Sequence, residues 1–212
     1  MSAQIPVLIP LSRREWAKER LARVLTPDQR QELVGVTFRI VLRAAQEASY
    51  RPYVVTTEPG KWDLEPGTAL IGERPGGGLN AALEGALEQL QGESAILVLH
   101  ADLPLARADS LRKLRDLAES QPEPAMAIVR SRDGGTNAML LRPPGKFGLS
   151  YGQRSFSRHV SAAARAGVKV AALEDPLLSL DLDTPQDVEM LVSTAAGRQT
   201  PAGQLLLKWA PS

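Results

Sequence analysis

The stretch Ala95-Ile-Leu-Val-Leu99, followed by His100-Ala-Asp102-Leu-Pro-Leu105, decides the fold class. Its first five residues are all apolar, without the alternation of a strand that has one face in water. Such a continuous pattern is typical of a strand buried on both faces, as in a parallel sheet. Pro104 then ends the pairing. We therefore predict a central buried strand with Asp102 just beyond its end.

Short apolar runs alternate with helical patterns on both sides of this strand. The other predicted strands span residues 5–9, 52–55, 69–71, 125–129, 137–141 and 168–172. The predicted helices span residues 27–48, 79–90, 109–120 (with Asp109 as its cap), 155–166 (ended by Gly167) and 185–194 (opened by a Thr184 capping box). This alternation predicts a three-layer α/β/α sandwich with a mostly parallel, Rossmann-like sheet, whose ligands bind beyond the carboxyl ends of the strands.

The chain shows no internal repeat and no linker that would divide it. We expect a single domain over residues 1–196 and a C-terminal tail over residues 197–212. The tail contains Leu205-Leu-Leu-Lys-Trp209, which is too apolar for a free linker. It is therefore predicted to pack on the body or on a second subunit, which would make a homodimer.

The amino-acid composition narrows the range of possible functions. With 25 Lys+Arg against 24 Asp+Glu, the net charge of +1 argues against nucleic-acid binding and favours a small-molecule partner. The absence of Cys excludes disulfides, thiolate zinc sites, iron–sulfur clusters and cysteine nucleophiles, and two His residues argue against a His-rich metal site. A metal, if present, should be a hard cation held by oxygen. No apolar run approaches the roughly 20 residues that span a bilayer, so we expect no membrane partner and a cytoplasmic protein.

Two segments that follow strands suit a nucleoside triphosphate. Arg13, Arg14, Lys18 and Arg20 come after the first strand, where cations can neutralise phosphate, although a solvated basic surface would look the same. The run Arg74-Pro-Gly-Gly-Gly-Leu-Asn80 precedes a helix, and its glycines allow a nucleotide to approach the backbone. This run matches neither a dinucleotide fingerprint nor a Walker loop, and alone it is equally typical of a plain loop.

Three acids are candidate metal ligands. Asp102 lies at the mouth of the central strand, and Asp181-Leu-Asp183 lies just before a helix. If residues 180–183 are extended, both acids share a face and together favour a divalent cation, so the three could hold one Mg²⁺. The alternatives are that Asp102 is a turn cap and that Asp183 only favours the helix dipole. His100 is predicted to be a structural neighbour rather than a base.

A further polar segment suits a small carboxylate or phosphate ester. It comprises Gly134-Gly-Thr136-Asn137 and Tyr151-Gly152-Gln-Arg-Ser155-Phe156, with hydroxyls, backbone N–H groups and a helix start. Taken by itself, Ser155 is also typical of a plain helix N-cap.

In this order the segments resemble the CofC/FbiD family of guanylyltransferases, within the MobA-like nucleotidyltransferase superfamily. The resemblance is carried by Ala-Lys18-Glu-Arg20-Leu, Gly78-Leu-Asn80-Ala-Ala-Leu, Ala-Asp102-Leu-Pro-Leu, Gly135-Thr136-Asn137-Ala, Gly152-x-x-Ser155-Phe156-x-x-His159 and Asp181-x-Asp183-Thr-Pro, and it runs from about residue 6 to 191. It implies transfer of a guanylyl group from GTP to a phosphorylated three-carbon acid in coenzyme F-420 biosynthesis, with release of pyrophosphate. The acid would be phosphoenolpyruvate, 2-phospho-L-lactate or 3-phosphoglycerate.

The resemblance also implies roles for residues. Asp102, Asp181 and Asp183 would bind Mg²⁺, and Lys18 and Arg20 would lie along the triphosphate. Gly77, Gly78, Leu79 and Asn80 would lie near the nucleoside, and Thr136, Gly152 and Ser155 would hold the carboxylate of the acid. The substrate phosphate would attack directly, without a protein nucleophile.

One residue departs from the family pattern. Ser12 stands where a Lys is expected, so either Arg13 or Arg14 replaces that Lys or the activity is weakened. Three alternatives remain open: another MobA-like nucleotidyltransferase, a glycosyltransferase using the Asp-x-Asp signature, and a nucleotide-binding module without activity.

Overall fold

The fold is built on one central β-sheet. This computed structural model describes residues 4–11, 18–58, 64, 66–72 and 77–209. Its strands are β1 (Pro6–Pro10), β2 (Arg51–Thr56), β3 (Ala69–Gly72), β4 (Ile96–Leu99), β5 (Ala125–Arg130), β6 (Thr136–Arg142) and β7 (Lys169–Ala172). Within the described residues they form one sheet in the order β3-β2-β1-β4-β6-β5-β7. The predictions at Ser12, Arg13, Arg14 and Arg74 lie outside these ranges.

Strand directions confirm the mostly parallel sheet. β1 pairs in parallel with β2 and β4, β2 with β3, and β5 with β7. β6 runs antiparallel to both of its neighbours, β4 and β5. The amino end of β6 therefore lies at the same edge of the sheet as the carboxyl end of β4.

A β-bulge interrupts the pairing of β5 with β6. Val129 is opposite Ala138 and Arg130 is opposite Thr136, so Asn137 is an extra residue with no partner across the pair. An extra residue of this kind breaks the alternation of side chains between the two faces of a strand.

Helices cover both faces of the sheet, as the three-layer prediction requires. They are α1 (Pro27–Glu47), α2 (Gly78–Gln89), α3 (Ala108–Glu119), α4 (Ser155–Arg165), α5 (Pro176–Ser179), α6 (Pro185–Ser193), α7 (Ala195–Gln199) and α8 (Pro201–Trp209). Leu97 and Leu99 of β4 pack in a core with α1 and α3, whereas Ile96 and Val98 pack in a core with α2 and α4. Burial on both faces explains why this strand has no polar residue.

The C-terminal residues pack on the body. Leu206 of α8 lies in a third apolar cluster with Leu33 of α1, Leu191 of α6 and Leu182. α7 and α8 approach each other closely at two glycines. A Cβ on Gly203 would lie 2.0 Å from the carbonyl oxygen of Gly197, so no larger residue fits there without movement.

Local details correct several predictions. Asp109 does not cap α3, because the N-cap is Arg107, without a side-chain hydrogen bond, and Asp109 pairs instead with Arg112 in the first turn. Ser155 is not an N-cap either, because Arg154 holds that position in a left-handed conformation. The predictions at Thr184 and Gly167 are confirmed. A 3-10 helix over Glu19–Arg23 was missed in the basic segment.

In the described part of the chain, none of the helices combines the length and the apolarity that crossing a bilayer would need.

Candidate active site

The site residues meet at one edge of the sheet. Asp102 follows β4, Thr136 begins the reversed strand β6, and Asp181 and Asp183 lie in the extended segment before α6. Backbone hydrogen bonds join these segments: the N–H of Leu182 donates to the carbonyl of Asp102 at 3.2 Å, and the N–H of His100 donates to the carbonyl of Asn137 at 2.9 Å. The positions of the acids are therefore set by the backbone rather than by flexible side chains.

The structure brings the three predicted metal ligands together. One carboxylate oxygen from each of Asp102, Asp181 and Asp183 lies within 4.8 Å of the others. Leu182, between the two C-terminal acids, is fully buried in the third apolar cluster. Because side chains alternate along an extended segment, burying Leu182 turns both neighbouring acids to the opposite side.

The charges of this trio fit a divalent cation. Burial, and then repulsion from Asp102 and Asp183, raises the pKa of Asp181 to about 7. Among the described residues, no group bonds the buried Oδ1 of Asp102. Oxygen donors with unsatisfied negative charge are what a hard cation binds in proteins. The donor set therefore suits a divalent metal.

Lys18 lies among the acids instead of at the protein surface. Its Nζ forms ion pairs with Asp102 Oδ2 and Asp183 Oδ1, and its side chain is 9% exposed. Burial alone would lower the pKa of Lys18, but the attraction of the two carboxylates outweighs it and raises that pKa. The backbone of Lys18 is left-handed, with φ 63°, a conformation that L-residues adopt at a cost of about 1 kcal/mol.

Arg20 is not brought to the acids. Its side chain is exposed on the 3-10 helix, and its charge acts on Asp133 in the turn between β5 and β6. The pKa of Asp133 is lowered mainly by its hydrogen bond from Ser131, with a smaller contribution from Arg20. Arg20 therefore lies beside the site and Lys18 lies within it.

The glycine-rich residues form the beginning of α2. Gly77 is the N-cap, without a side-chain cap, and Gly78 has a φ of +70°, which favours glycine. Leu79 is exposed on the first turn. Asn80 has a structural function that the sequence did not reveal: its Oδ1 accepts from the N–H of Tyr151 at 2.7 Å, and its Nδ2 donates to the carbonyl of Tyr151 at 3.2 Å. Asn80 thus ties α2 to the loop before α4.

The predicted acid-binding residues form a second group. Ser155 Oγ donates to Thr136 Oγ1 at 3.1 Å, and both residues are buried. Gly152 is exposed in the preceding turn with a φ of +117°, and its carbonyl accepts from the N–H of Ser155 at 3.1 Å. The structure therefore brings the two hydroxyls into contact and leaves Gly152 at the rim.

Asn137 joins the two groups, and sequence reasoning assigned it no such function. Its Nδ2 donates to the carbonyl of Leu178 at 2.9 Å and to Asp181 Oδ1 at 3.4 Å. Thr136, the preceding residue, belongs to the hydroxyl pair. The quoted Gly-Thr-Asn segment was the available signal, but the bulge that directs these two side chains to different partners is not visible in the sequence.

Three aromatic rings lie between the two groups. The ring of Tyr151 lies 5.3 Å from that of His100 and 4.8 Å from that of His159, centroid to centroid. Burial lowers the pKa of His100. His100 therefore packs as a neutral ring beside the acids.

Comparison with known proteins identifies the family of this chain. The sequence model of the family described as "Guanylyl transferase CofC like" matches residues 5–206, which extends beyond the expected boundary at residue 196. The chain is 37% identical to a phosphoenolpyruvate guanylyltransferase from Rubrobacter xylanophilus, over 92% of this chain and 96% of that protein. It is 31% identical to a 2-phospho-L-lactate guanylyltransferase from Methanoregula boonei, over 85% of this chain and 79% of that protein.

Solved structures share the fold. A protein described as a nucleotide-diphospho-sugar transferase, from Desulfovibrio desulfuricans G20, superposes with a TM-score of 0.78 at 20% identity, covering 96% of this chain and 94% of that one. A Mycobacterium tuberculosis protein solved in complex with manganese superposes with a TM-score of 0.60 at 18% identity, covering 91% and 100%. The family match over most of the chain and the relatives above 30% identity agree, so this chain belongs to the CofC-like guanylyltransferases, a class of nucleotidyltransferases.

Proposed function

We propose that this protein transfers a guanylyl group from GTP to the phosphate of a small phosphorylated carboxylic acid and releases pyrophosphate, with Mg²⁺ as the metal. The observation that carries the proposal is the grouping of Asp102, Asp181 and Asp183 within 4.8 Å, beside Lys18. The preferred acid is phosphoenolpyruvate, since relatives named for it share 37% and 36% identity, against 31% for a relative named for 2-phospho-L-lactate.

The three carboxylates would hold the metal. When bound, Mg²⁺ supplies charge neutralisation for the triphosphate oxygens. A divalent cation is also supported by the manganese complex of a structural neighbour. Asn137 would keep Asp181 in place through its amide, and Leu182 would keep the segment anchored in the apolar cluster.

Lys18 would neutralise charge that develops on the leaving pyrophosphate. Its ammonium already lies between Asp102 and Asp183, so a short movement of its side chain would redirect it to a phosphate oxygen. Arg20 would add positive charge further out along the triphosphate. Cations near the leaving group stabilise the transition state more than the ground state, because negative charge increases there as the bond breaks.

The reaction needs no protein nucleophile. An anionic oxygen of the acid's phosphate forms a bond with the α-phosphorus of GTP. The bond from that phosphorus to its bridging oxygen breaks, and the electron pair leaves with pyrophosphate. Because the attacking oxygen is already charged at neutral pH, no side chain has to remove a proton. The residues of the site contribute positioning and electrostatics.

Recognition of the two substrates would use the two sides of the site. Thr136 and Ser155, with the backbone of Gly152, would bind the carboxylate of the acid. The first turn of α2, from Gly77 to Asn80, would lie near the nucleoside through its backbone N–H groups, because the Asn80 amide is engaged with Tyr151. By its resemblance to the family, the product would enter coenzyme F-420 biosynthesis.

A substrate panel tests the proposal. The protein is incubated with Mg²⁺, one of GTP, ATP or CTP, and one of phosphoenolpyruvate, 2-phospho-L-lactate or 3-phosphoglycerate. We expect pyrophosphate and a guanylylated acid, detected by mass, with GTP and phosphoenolpyruvate. Binding of GTP without product from any acid would refute transfer activity and favour a binding module.

An Asp102→Asn variant is the matched control for the panel. Asn keeps the shape of the side chain and removes its charge, so Mg²⁺-dependent turnover should be lost. The fold should remain, because Asp102 lies beyond the end of β4 and Lys18 keeps its pair with Asp183. Unchanged turnover would remove Asp102 from the metal site.

A further inference from the structure

His159 forms hydrogen bonds through both of its ring nitrogens. The backbone N–H of Ser150 donates to Nε2 at 2.9 Å, and Nδ1 lies 3.0 Å from Thr136 Oγ1. His159 is 0% exposed, and Thr136 and Ser155 are 2% and 1% exposed. These contacts place the imidazole directly behind the pair of hydroxyls.

The bond from Ser150 determines which nitrogen carries the proton. A peptide N–H can only donate, so Nε2 must be the unprotonated acceptor. In a neutral imidazole the proton is then on Nδ1, which donates to Thr136 Oγ1. Burial, and then the charge of Arg158, lowers the pKa of His159 to about 4, which keeps the ring neutral at physiological pH.

This tautomer decides what the two hydroxyls can offer a ligand. Thr136 Oγ1 accepts from Nδ1–H, and one further hydrogen bond joins it to Ser155 Oγ. Two hydroxyl protons are present and one of them is used between the hydroxyls, so one O–H remains to donate, whichever hydroxyl supplies it. With the proton on Nε2 instead, Thr136 would have to donate to Nδ1, and no O–H would remain.

We propose that His159 is a positioning residue for the acid substrate: by directing Nδ1–H at Thr136, it leaves one hydroxyl of the Thr136–Ser155 pair free to donate to an anionic oxygen. The proposal rests on the proposed function, in which this pair binds the carboxylate. It specifies the class of group accepted there, namely an acceptor such as a carboxylate. A ligand group that can only donate hydrogen bonds would face the remaining O–H, which would then have no acceptor.

The tautomer can be measured without turnover. In the ¹⁵N-labelled protein, long-range ¹H–¹⁵N correlation spectra distinguish protonated from unprotonated ring nitrogens. The chain has two His residues, so a His159→Asn variant assigns the signals. We expect the proton on Nδ1 at neutral pH. A proton on Nε2 would overturn the proposal whether or not the enzyme is active.

Two variants separate positioning from packing. His159→Asn keeps an N–H donor near the place of Nδ1, whereas His159→Leu keeps more apolar volume and has no donor. We expect His159→Leu to raise KM for the acid roughly tenfold to a hundredfold, with KM for GTP unchanged, because a hydrogen bond that orients a charged contact is lost. In His159→Asn the KM for the acid should rise much less, because the Asn side chain still offers an N–H donor. A purely structural role predicts the opposite order, since Asn is smaller and more polar.

The experiments distinguish failure of this inference from failure of the proposed function. If wild-type protein makes no product from GTP and any acid, the proposed function fails, and the tautomer measurement still tests the geometry. If wild type is active and His159→Leu leaves KM for the acid unchanged, the positioning role is overturned. Ser161→Ala, an exposed change on α4, is the control and should leave both KM values unaltered.

Discussion

Acidification provides a quantitative check on His159. Its pKa is lowered from 6.5 to about 4 in the folded protein. Between these values the unfolded chain binds a proton that the folded protein does not, so the free energy of unfolding falls as pH falls. The difference of about 2.5 units at about 1.4 kcal/mol per unit corresponds to about 3 kcal/mol, lost from about pH 6.5 downward and complete near pH 4.

Urea denaturation of wild type and His159→Asn at several pH values measures this contribution. Other groups titrate in the same range: the lowered pKa of His100 acts in the same direction, and the raised pKa of Asp181 acts in the opposite one. His100 and Asp181 are present in wild type and in the variant, so their contributions largely cancel when the two stability curves are subtracted. Wild type should therefore lose stability more steeply than the variant between pH 6.5 and 4.5. Parallel curves would show that His159 is not held neutral, and would refute the reasoning.

Three other variants test separate features. Lys18→Met should increase affinity for Mn²⁺ in calorimetric titration without nucleotide, because the ammonium competes for Asp102 and Asp183; weaker binding would mean that Lys18 supports the metal site. Asn80→Ala should lower the free energy of unfolding by about 1–3 kcal/mol, because it leaves the backbone groups of Tyr151 unpaired; an unchanged denaturation midpoint would argue against this tie. Gly203→Ala should destabilise by about 1–3 kcal/mol, because its Cβ would meet the Gly197 carbonyl. The control Gly35→Ala, where the nearest atom is 3.5 Å away, should be neutral or stabilising by up to about 1 kcal/mol; equal effects would contradict the contact.

The central sheet and the acid positions were predictable because they depend on local composition. Ile96–Leu99 lacks polar residues since both of its faces are covered, and an acid that follows such a strand lies at the ligand edge. The packing of the C-terminal helix followed similarly from its apolar side chains.

Other parts of the site depend on contacts between distant segments. Lys18 is one of several cations in its segment, and its place between Asp102 and Asp183 depends on partners 84 and 165 residues away in the sequence. Ser155 has the residue type of a helix cap, yet its hydroxyl donates to Thr136 at the beginning of β6. Local preference could not separate these outcomes, because the competing partners are far away in sequence.

The bulge at Asn137 has a consequence for transferring this site to another protein. Ala138 packs in the core beneath α1 and α3, so regular alternation would turn Thr136 to that layer, away from α4. The extra residue instead lets Thr136 reach Ser155 and His159, while Asn137 reaches Asp181. A regular strand that kept both residues would turn the Thr136 hydroxyl to the wrong layer, and deletion of Asn137 would remove the amide that contacts Asp181. A graft of the acid site into a related sheet must therefore carry the bulge as well as the side chains.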